Sequence, residues 1–293
     1  MNRIFSKDIL RSYFFLLPFA VFIIAFILIP VVGAVINSLY KDVTFREREF
    51  LLFDNYISLF KDSGFWQSLR FSMLFILVSV PFELILGLIF ALLLNQIRRF
   101  RGLIWAAVLI PWAIPSAISA RTWELIYNYN YGLANYLLSG IGITGEPINW
   151  LGTNVGAFIS VVIADAWKTA PFITIILLAG LQGIPENLHR QSRVDGANFL
   201  QGFQKITLPL LKPVIVVALL FRTIDALRVF DVIYVLTGGG PGGATTSLSI
   251  FGYNYYINGD FGYGSTISVV LFAVAFGLSI LYVKLSRFEA GLR

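Results

Sequence analysis

Ionisable side chains recur inside the long apolar stretches of this sequence. Those concerned are Glu83, Asp165, Lys168, Arg222, Asp225, Arg228 and Asp231. Several are three residues from the next, so on a helix they lie on one face, where opposite charges can pair. A charge near the centre of a bilayer is costly and usually faces a bundle interior or a wet cavity. Two interpretations are open: these groups contact a polar solute, or they only tie helices together or to a sister subunit.

The composition requires a membrane environment. Of the 293 residues, 57% are hydrophobic and 13% are charged, and no soluble domain of this size hides so much apolar surface. Cysteine is absent, which excludes disulfides and thiolate metal sites. The net charge of +6 comes from Lys and Arg dispersed among apolar segments, so we expect membrane lipid and no nucleic acid as a partner.

Six stretches are long and apolar enough to span a bilayer, which predicts an all-α membrane protein. They lie at roughly 13–38, 71–94, 103–125, 156–180, 208–236 and 265–285. The first is too long for a signal peptide and is interpreted as an uncleaved span. We divide the chain into 1–69, an N-terminal helix with an outer loop, 70–285, a core of five helices, and 286–293, a tail.

Basic residues predict the orientation, because cytoplasmic segments are enriched in Lys and Arg. With an inside N-terminus, the inner segments hold Arg3, Lys7, Arg11, Arg98, Arg99, Arg101, Arg190, Arg193, Lys205, Lys284, Arg287 and Arg293. The outer loops near 126–155 and 237–264 contain none, although the first outer loop carries five basic residues beside five acidic ones. We therefore expect both termini, and the loop at 183–207, in the cytoplasm.

The loop at 183–207 is polar although it lies between two spans. Pro185 suits the first position of a helix, where Glu186 complements the helix dipole. Asp195-Gly196 is a turn dipeptide that should end this helix, and Asn198 is a cap for the next. The loop is predicted to contain two short helices separated by a break.

The second short helix has an apolar edge. Phe199, Phe203 and Ile206 recur at helical spacing, and Pro209 and Pro213 then begin the fifth span, where a missing N–H costs least. This edge either fills a groove on a partner protein or rests on lipid headgroups.

The same residues carry a resemblance. Their spacing resembles that of the EAA loop in permease subunits of binding-protein-dependent ABC importers. The matching residues are Asp195-Gly196-Ala197, Phe203, Ile206, Leu208-Pro209 and Pro213. The sequence departs from the pattern where Arg190-Gln191-Ser192 replaces the usual Glu-Ala-Ala. The resemblance implies that this loop is a coupling helix docked on an ATPase subunit. Its implied contact residues are Glu186, Arg190, Arg193, Asp195, Gly196, Ala197, Phe199, Phe203, Ile206, Pro209 and Pro213.

Further segments are similar to the sugar-transport branch of that family, the MalF-like permeases. They are NYISLFKDSGFW at 55–66, WKTAPFITIILLAGLQGIP at 167–185, VFDVIYVLTGGGPGGATTSLS at 229–249 and FGYGSTISVVLF at 261–272. The resemblance implies a type I ABC importer permease fold in the cell membrane. It also implies a second homologous permease subunit, two ATP-binding cassette subunits and an extracytoplasmic sugar-binding protein.

ATP and Mg²⁺ are expected on the partner ATPase, with no cofactor, metal or enzymatic activity in this chain. The glycine-rich run from Thr237 to Gly243 follows a membrane helix and contains no Lys, so it is not a phosphate-binding loop. We expect a tight outer turn there instead. Trp123 and Tyr127, at the outer end of the third span, are interpreted as interfacial belt residues.

Sugars are bound by hydrogen bonds from planar polar groups together with stacking on aromatic rings. Pro171 can kink the fourth span beside groups of this kind. The predicted substrate-path residues are Lys168, Thr169, Phe172, Arg222, Asp225, Ala226 and Val229. Tying helices together is the favoured interpretation for Glu83, Asp165, Arg228 and Asp231.

Two other functions remain open at this point. A self-contained ion-coupled transporter would use Glu83 or Asp225 as a proton site, and its uptake would need no ATPase. A membrane anchor or sensor would recruit a partner through the cytoplasmic loop and carry no solute.

Overall fold

The computed structural model describes residues 7–97 and 99–290, and helices make up most of it. In chain order the elements are α1 (Lys7–Ile23), a π-helical segment (Ile24–Leu28), α2 (Ile29–Ser38), β1 (Tyr40–Lys41), β2 (Glu49–Phe50), α3 (Asp54–Lys61), α4 (Ser63–Gln96), α5 (Arg101–Ala113), α6 (Ser116–Ile126), α7 (Leu133–Gly140), α8 (Asn154–Gln182), α9 (Glu186–Val194), α10 (Phe199–Gly202), a second π-helical segment (Phe203–Thr207), α11 (Leu208–Leu227), α12 (Asp231–Leu236), α13 (Leu248–Ile257) and α14 (Phe261–Ala290). Arg3, Arg98 and Arg293, which contribute to the predicted orientation, lie outside the described residues.

Four of the predicted spans are single long helices. Within residues 7–97 and 99–290, the helices long and apolar enough to cross a bilayer are Phe14–Ser38, Ser63–Gln96, Asn154–Gln182 and Phe261–Lys284. The third predicted span is instead a pair, α5 and α6, which meet at an angle of 90°. Ile114 is extended there, with φ −69° and ψ 133°, because the following Pro115 disfavours helical geometry before it. Counting the pair as one span gives five.

The fifth predicted span differs at both ends. The helix is already continuous from Phe199, through the second π-helical segment, into α11, so Pro209 lies inside a continuous helix and not in its first turn. Pro209 lacks an N–H and its ring crowds the carbonyl one turn earlier, and the wider π turn before it accommodates this misfit. At the other end α11 stops at Leu227 and α12 begins at Asp231, so 208–236 is not one helix.

One compact unit comprises residues 63–251 and 273–293. Its core includes Phe75, Val161 and Ile233, and a second cluster includes Leu177 and Leu211. Glycines allow close helix approach in this unit. A Cβ added at Gly87 of α4 would lie 2.7 Å from Ile173 Cγ2 of α8, and one at Gly180 of α8 would lie 2.7 Å from Leu211 Cδ1. Small residues at such crossings are the usual means of packing helices in membranes.

The other compact unit comprises residues 1–62 and 252–272. Strands β1 and β2 pair antiparallel, with Tyr40 opposite Phe50 and Lys41 opposite Glu49. Asp62 Oδ2 accepts hydrogen bonds from the hydroxyls of Tyr255 at 3.3 Å and Tyr263 at 3.1 Å. Burial and the neighbouring Asp62 carboxylate raise the pKa of the Tyr255 phenol.

The interpretation of Tyr127 as an interfacial belt residue is wrong. Its side chain is buried in the core cluster that also contains Val161. The ring stacks on Trp123 at 5.3 Å between centroids and packs against Trp150 at 5.5 Å. An aromatic residue near the end of a span therefore faces protein here, because the segment after α6 folds back over it.

Candidate functional site

A buried arginine joins three helices. Arg222 of α11 is 2% exposed, and its guanidinium donates to carboxylates on two other helices. Nε and Nη2 donate to the two carboxylate oxygens of Glu83 on α4, with Nη2 to Oε1 at 2.9 Å. Nη2 also donates to Asp165 on α8. The planar guanidinium can donate to two carboxylates on different helices at once, whereas a lysine ammonium lacks this fixed planar arrangement of donors.

The third nitrogen of Arg222 faces the surface of the chain. Nη1 donates to Asp225 Oδ2 at 3.1 Å, and Arg228 Nη2 donates to Asp225 Oδ1 at 3.1 Å. The side chain of Asp225 is 51% exposed whereas that of Glu83 is fully buried. The network thus has a buried centre at Arg222 and an accessible carboxylate at its edge, held by two arginines.

Lys168 and Phe172 of α8 contact the end of α5. Lys168 Nζ donates to the carbonyl oxygens of Trp112, at 3.2 Å, and of Ile114. These carbonyls lack helical partners because α5 ends here, and an ammonium group also complements the negative end of the helix dipole. The Phe172 ring stacks on Trp112 with 6.1 Å between centroids. Lys168 therefore caps the right-angle bend between α5 and α6.

The predicted substrate-path residues occupy different environments. Thr169 Oγ1 donates to the Asp165 backbone oxygen at 2.7 Å, so it adjoins the ion network. Ala226 and Val229 are buried in the core of the chain. Asp225 is the member of the set with the most exposed side chain next to the network, and Phe172 is partly exposed beside the α5 break.

Sequence reasoning identified the pairs within α11 but not those between helices. Asp225 pairs with both Arg222 and Arg228 at i,i+3 spacing, as predicted. The contacts of Arg222 with Glu83 and Asp165 were missed as specific pairs. The available signal was that Glu83 and Asp165 are each the single acidic residue of an apolar span, where a charge must find a partner.

The loop at 183–207 has the predicted local structure. Helix α9 ends at Val194, and Gly196 follows with φ +82°, a conformation that favours glycine. Asn198 Oδ1 accepts a hydrogen bond from the Gln201 backbone N–H at 2.9 Å, and Gln201 Oε1 accepts one from the Asn198 backbone N–H at 2.9 Å. This reciprocal pair is a capping box. The turn and the cap fix the angle between α9 and α10.

The exposed apolar residues of this loop differ partly from those expected. Phe199 is 74% exposed, and Val194 and Leu200, which the helical spacing did not identify, are 87% and 59% exposed. Phe203 and Ile206 are only partly exposed. The apolar surface therefore surrounds the turn at Gly196. We refer to Val194, Phe199 and Leu200 as the elbow patch.

The charged residues of the loop are mostly exposed. Arg190 Nη2 pairs with Glu186 Oε1 at 3.1 Å, one helical turn away, and Arg193 Nε donates to the His189 backbone oxygen at 3.2 Å. Arg190, which the resemblance places where Glu is usual, thus has an acidic partner on its own helix. Asp195 is exposed beside the turn, Ala197 is partly exposed, and Pro209 and Pro213 are exposed on α11.

A cavity of about 850 Å³ lies next to the elbow patch, and Phe199 is among its lining residues. Its walls come from the ends of α4 and α8, from α9, and from the helix that begins at Phe199. Among its lining residues are Asn95, Gln182, His189 and Phe203.

The glycine-rich run forms the expected tight turn. Gly238, Gly239, Gly242 and Gly243 all have positive φ, which explains the need for glycine at these positions. Thr245 Oγ1 donates to the Gly240 backbone oxygen at 2.6 Å. The backbone conformation thus accounts for the glycines without a bound phosphate.

Residues 83–287 match the family described as "Binding-protein-dependent transport system inner membrane component". This match covers both candidate sites, the ion network and the loop at 183–207.

The chain belongs to this family of importer permeases.

Relatives within the family align along nearly the whole chain. The trehalose/maltose transport system permease protein MalF of Thermococcus litoralis is 53% identical over 289 residues, covering 98% of this chain and 97% of the relative. The sulfoquinovosyl glycerol transport system permease protein SmoG of Agrobacterium fabrum is 38% identical and covers 96% and 91%. The trehalose transport system permease protein SugA of Mycobacterium tuberculosis is 36% identical and covers 94% and 88%.

A solved structure gives the fold. A chain of a bacterial ABC transporter involved in the import of the acidic polysaccharide alginate superposes with a TM-score of 0.82, at 25% identity, covering 96% of this chain and 97% of that one. The chain thus has the type I ABC importer permease fold and is a multi-pass membrane protein. It is a permease subunit of a binding-protein-dependent importer.

Proposed function

We propose that this chain carries sugars as one of two homologous permease subunits of an ATP-driven importer. The observation that carries the proposal is 53% identity over 98% of the chain to a permease named for trehalose and maltose transport. Relatives named for sulfoquinovosyl glycerol and trehalose transport support a carbohydrate substrate class. A binding protein outside the cell would deliver the sugar, and this chain would form half of the path.

The proposed topology has six spans and cytoplasmic termini. The spans are the α1–α2 helix, α4, the bent pair α5–α6, α8, the pair α11–α12, and α14. The basic residues of the loops support this orientation, and it places the elbow patch in the cytoplasm. The division of the chain into 1–69, 70–285 and 286–293 remains part of this proposal.

The elbow patch is the proposed contact with an ATPase subunit. Exposed Val194, Phe199 and Leu200 surround a turn whose geometry is fixed by Gly196 and by the Asn198 cap. Rigid presentation lowers the entropy lost on docking. ATP and Mg²⁺ would bind to that ATPase and not to this chain. Closure of two ATPase subunits would then move the elbow patches of both permeases and shift the equilibrium between inward-open and outward-open states.

The proposed sugar contacts are the accessible members of the predicted set. Asp225 would accept hydrogen bonds from sugar hydroxyls while Arg222 and Arg228 hold its carboxylate in place. Phe172, stacked on Trp112, would offer a ring face to a sugar C–H face. Arg222, Lys168 and Thr169 would act by positioning these groups.

The ion network disfavours Glu83 as the proton site of an ion-coupled transporter. Glu83 is fully buried, and two nitrogens of Arg222 donate to its carboxylate. A proton site must exchange with water during each cycle, whereas this carboxylate is enclosed and paired. Uptake that persists without ATPase subunits and collapses with the proton gradient would restore the alternative.

The proposal is tested by reconstituting the chain in vesicles with its partner permease, its ATPase subunits and its binding protein. ATP hydrolysis and uptake are then measured with a panel of neutral and anionic sugars. Leu200→Asp should reduce ATPase assembly and transport together, because it places a charge in the docked patch. Gln204→Asp, an exposed substitution of the same charge one turn further along the same helix, is the matched control. Equal effects of the two variants, or none from Leu200→Asp, would contradict the coupling assignment.

A further inference from the structure

Helix α3 has two differently buried faces. Asn55 and Leu59 are buried against the rest of their own unit. Phe53, Ile57 and Phe60 are spaced four and three residues apart, so they form one stripe, and they are 58%, 50% and 51% exposed. A stripe of large apolar side chains at this spacing requires an apolar neighbour.

A polar strip runs beside the apolar stripe. Asp54, Ser58 and Lys61 are exposed, and their spacing of four and three places them on an adjacent face of the helix. The exposed surface of α3 is therefore half apolar and half charged or polar. This division is typical of a helix lying at a membrane interface, with its apolar side towards the acyl chains.

Hydrogen bonds fix the position of α3 at the end of the first span. Asn55 Nδ2 donates to the backbone oxygens of Ser38 and Tyr40, both at 2.9 Å. The hydroxyls of Ser38 and Tyr56 are 2.7 Å apart. These contacts hold the buried face of α3 against the last turn of α2.

The length of the first span gives the depth of that turn. The span Phe14–Ser38 has 25 residues, or about 37 Å at ~1.5 Å per residue. A hydrocarbon core is about 30 Å thick and the headgroup regions bring the bilayer to about 40–45 Å. Ser38 therefore lies at headgroup depth, and α3, bonded to it, lies at the same depth.

The neighbouring loop presents further apolar side chains in strained conformations. Phe45 and Leu52 have φ of 65° and 52°, which costs about 1–2 kcal/mol for a residue with a Cβ. Phe45 is fully exposed, and Phe50 on β2 is also exposed. Exposure of these side chains to water is unfavourable, whereas Phe and Leu side chains are stabilised when they are buried at the boundary between headgroups and acyl chains.

We propose that the stripe of Phe53, Ile57 and Phe60 binds the lipid at the boundary between headgroups and acyl chains. The leaflet is the one at the end of the first span opposite the N-terminus, which is the outer leaflet in the topology proposed above. Helix α3 thus anchors this unit to the membrane surface beside its span. The inference depends on the span and its hydrogen bonds, not on the identity of the transported solute.

Spin labels test the proposal directly, because the chain has no native cysteine. Ile57→Cys and Phe60→Cys variants are labelled in the importer assembled with cysteine-free partner subunits in phosphatidylcholine vesicles. Collisions with oxygen, which partitions into lipid, should exceed collisions with a water-soluble nickel complex. Ser58→Cys, on the polar strip of the same helix, is the matched control and should give the reverse ratio.

Two other results would overturn the proposal. Nickel collisions that are as frequent at Ile57 and Phe60 as at Ser58 would place the stripe in water. Labels shielded from both reagents, or shielded only after the binding protein is added, would show that a protein covers the stripe. Uptake assays on the same preparations separate failure of this inference from failure of the proposed transport function.

Discussion

Replacing Arg222 with Leu should destabilise the permease strongly. The substitution leaves Glu83 and Asp165 as buried carboxylates without their cationic partner. Breaking a buried ion pair by removing one partner costs about 3–5 kcal/mol. Since ~1.4 kcal/mol is a tenfold change, the folding equilibrium should shift by roughly 100-fold to several thousand-fold. The measurement is the unfolding midpoint of the purified assembly in denaturant, followed by tryptophan fluorescence.

The matched control is Arg228→Leu. Arg228 pairs with the same Asp225, but its side chain is 70% exposed, and exposed ion pairs contribute about 0–1 kcal/mol. Adding Glu83→Leu to Arg222→Leu should recover part of the loss, since one uncompensated carboxylate is then removed. The expected interaction energy is about 0.5–3 kcal/mol. If Arg222→Leu costs no more than Arg228→Leu, the network does not hold the three helices together and the reasoning fails.

Three further substitutions test local features of the fold. Gly196→Val forces a β-branched residue to φ +82°, which should lower the folding stability by about 1–2 kcal/mol and reduce sugar-stimulated ATP hydrolysis. Gly202→Ala, in the adjacent helix, is the control and should be tolerated in the same assay. Asn198→Ala removes the capping box and should cost about 1 kcal/mol, seen as faster amide hydrogen exchange in α10; unchanged exchange would show that the cap is not needed. Lys168→Met leaves the end carbonyls of α5 uncapped and should lower transport and the thermal midpoint, with no change in either if the bend is held by other contacts.

Local chemistry was sufficient to predict the structure of the loop at 183–207. Asp195-Gly196 ends a helix because Gly196 adopts a left-handed conformation, and Asn198 caps the next helix through its own side chain. Both effects act within a few residues, so they are visible in the sequence. The exposure of Val194 and Leu200 was not predictable in this way, because it depends on how the two helices are oriented around the turn.

Non-local contacts account for most of what the sequence did not show. Hydropathy identified the third span but not the right angle at Ile114, where Pro115 and the Lys168 cap act together. Spacing within α11 predicted the bond between Arg222 and Asp225. It carried no information about which carboxylates on α4 and α8 would reach the same guanidinium. Tyr127 was misassigned for the same reason, since its burial depends on segments distant in sequence.

The unbroken helix from Phe199 to Leu227 connects the elbow patch mechanically with Arg222. The two lie 23 residues apart on it, or about 35 Å at ~1.5 Å per residue. A pivot of about 5° at one end displaces the other by about 3 Å, comparable to the full length of a hydrogen bond. Arg222 cannot move that far from Glu83 and keep its bonds, so α4 and α8 must travel with it. A tilt of this helix that preserves the bonds of Arg222 therefore moves α4, α8 and α11 together as one block.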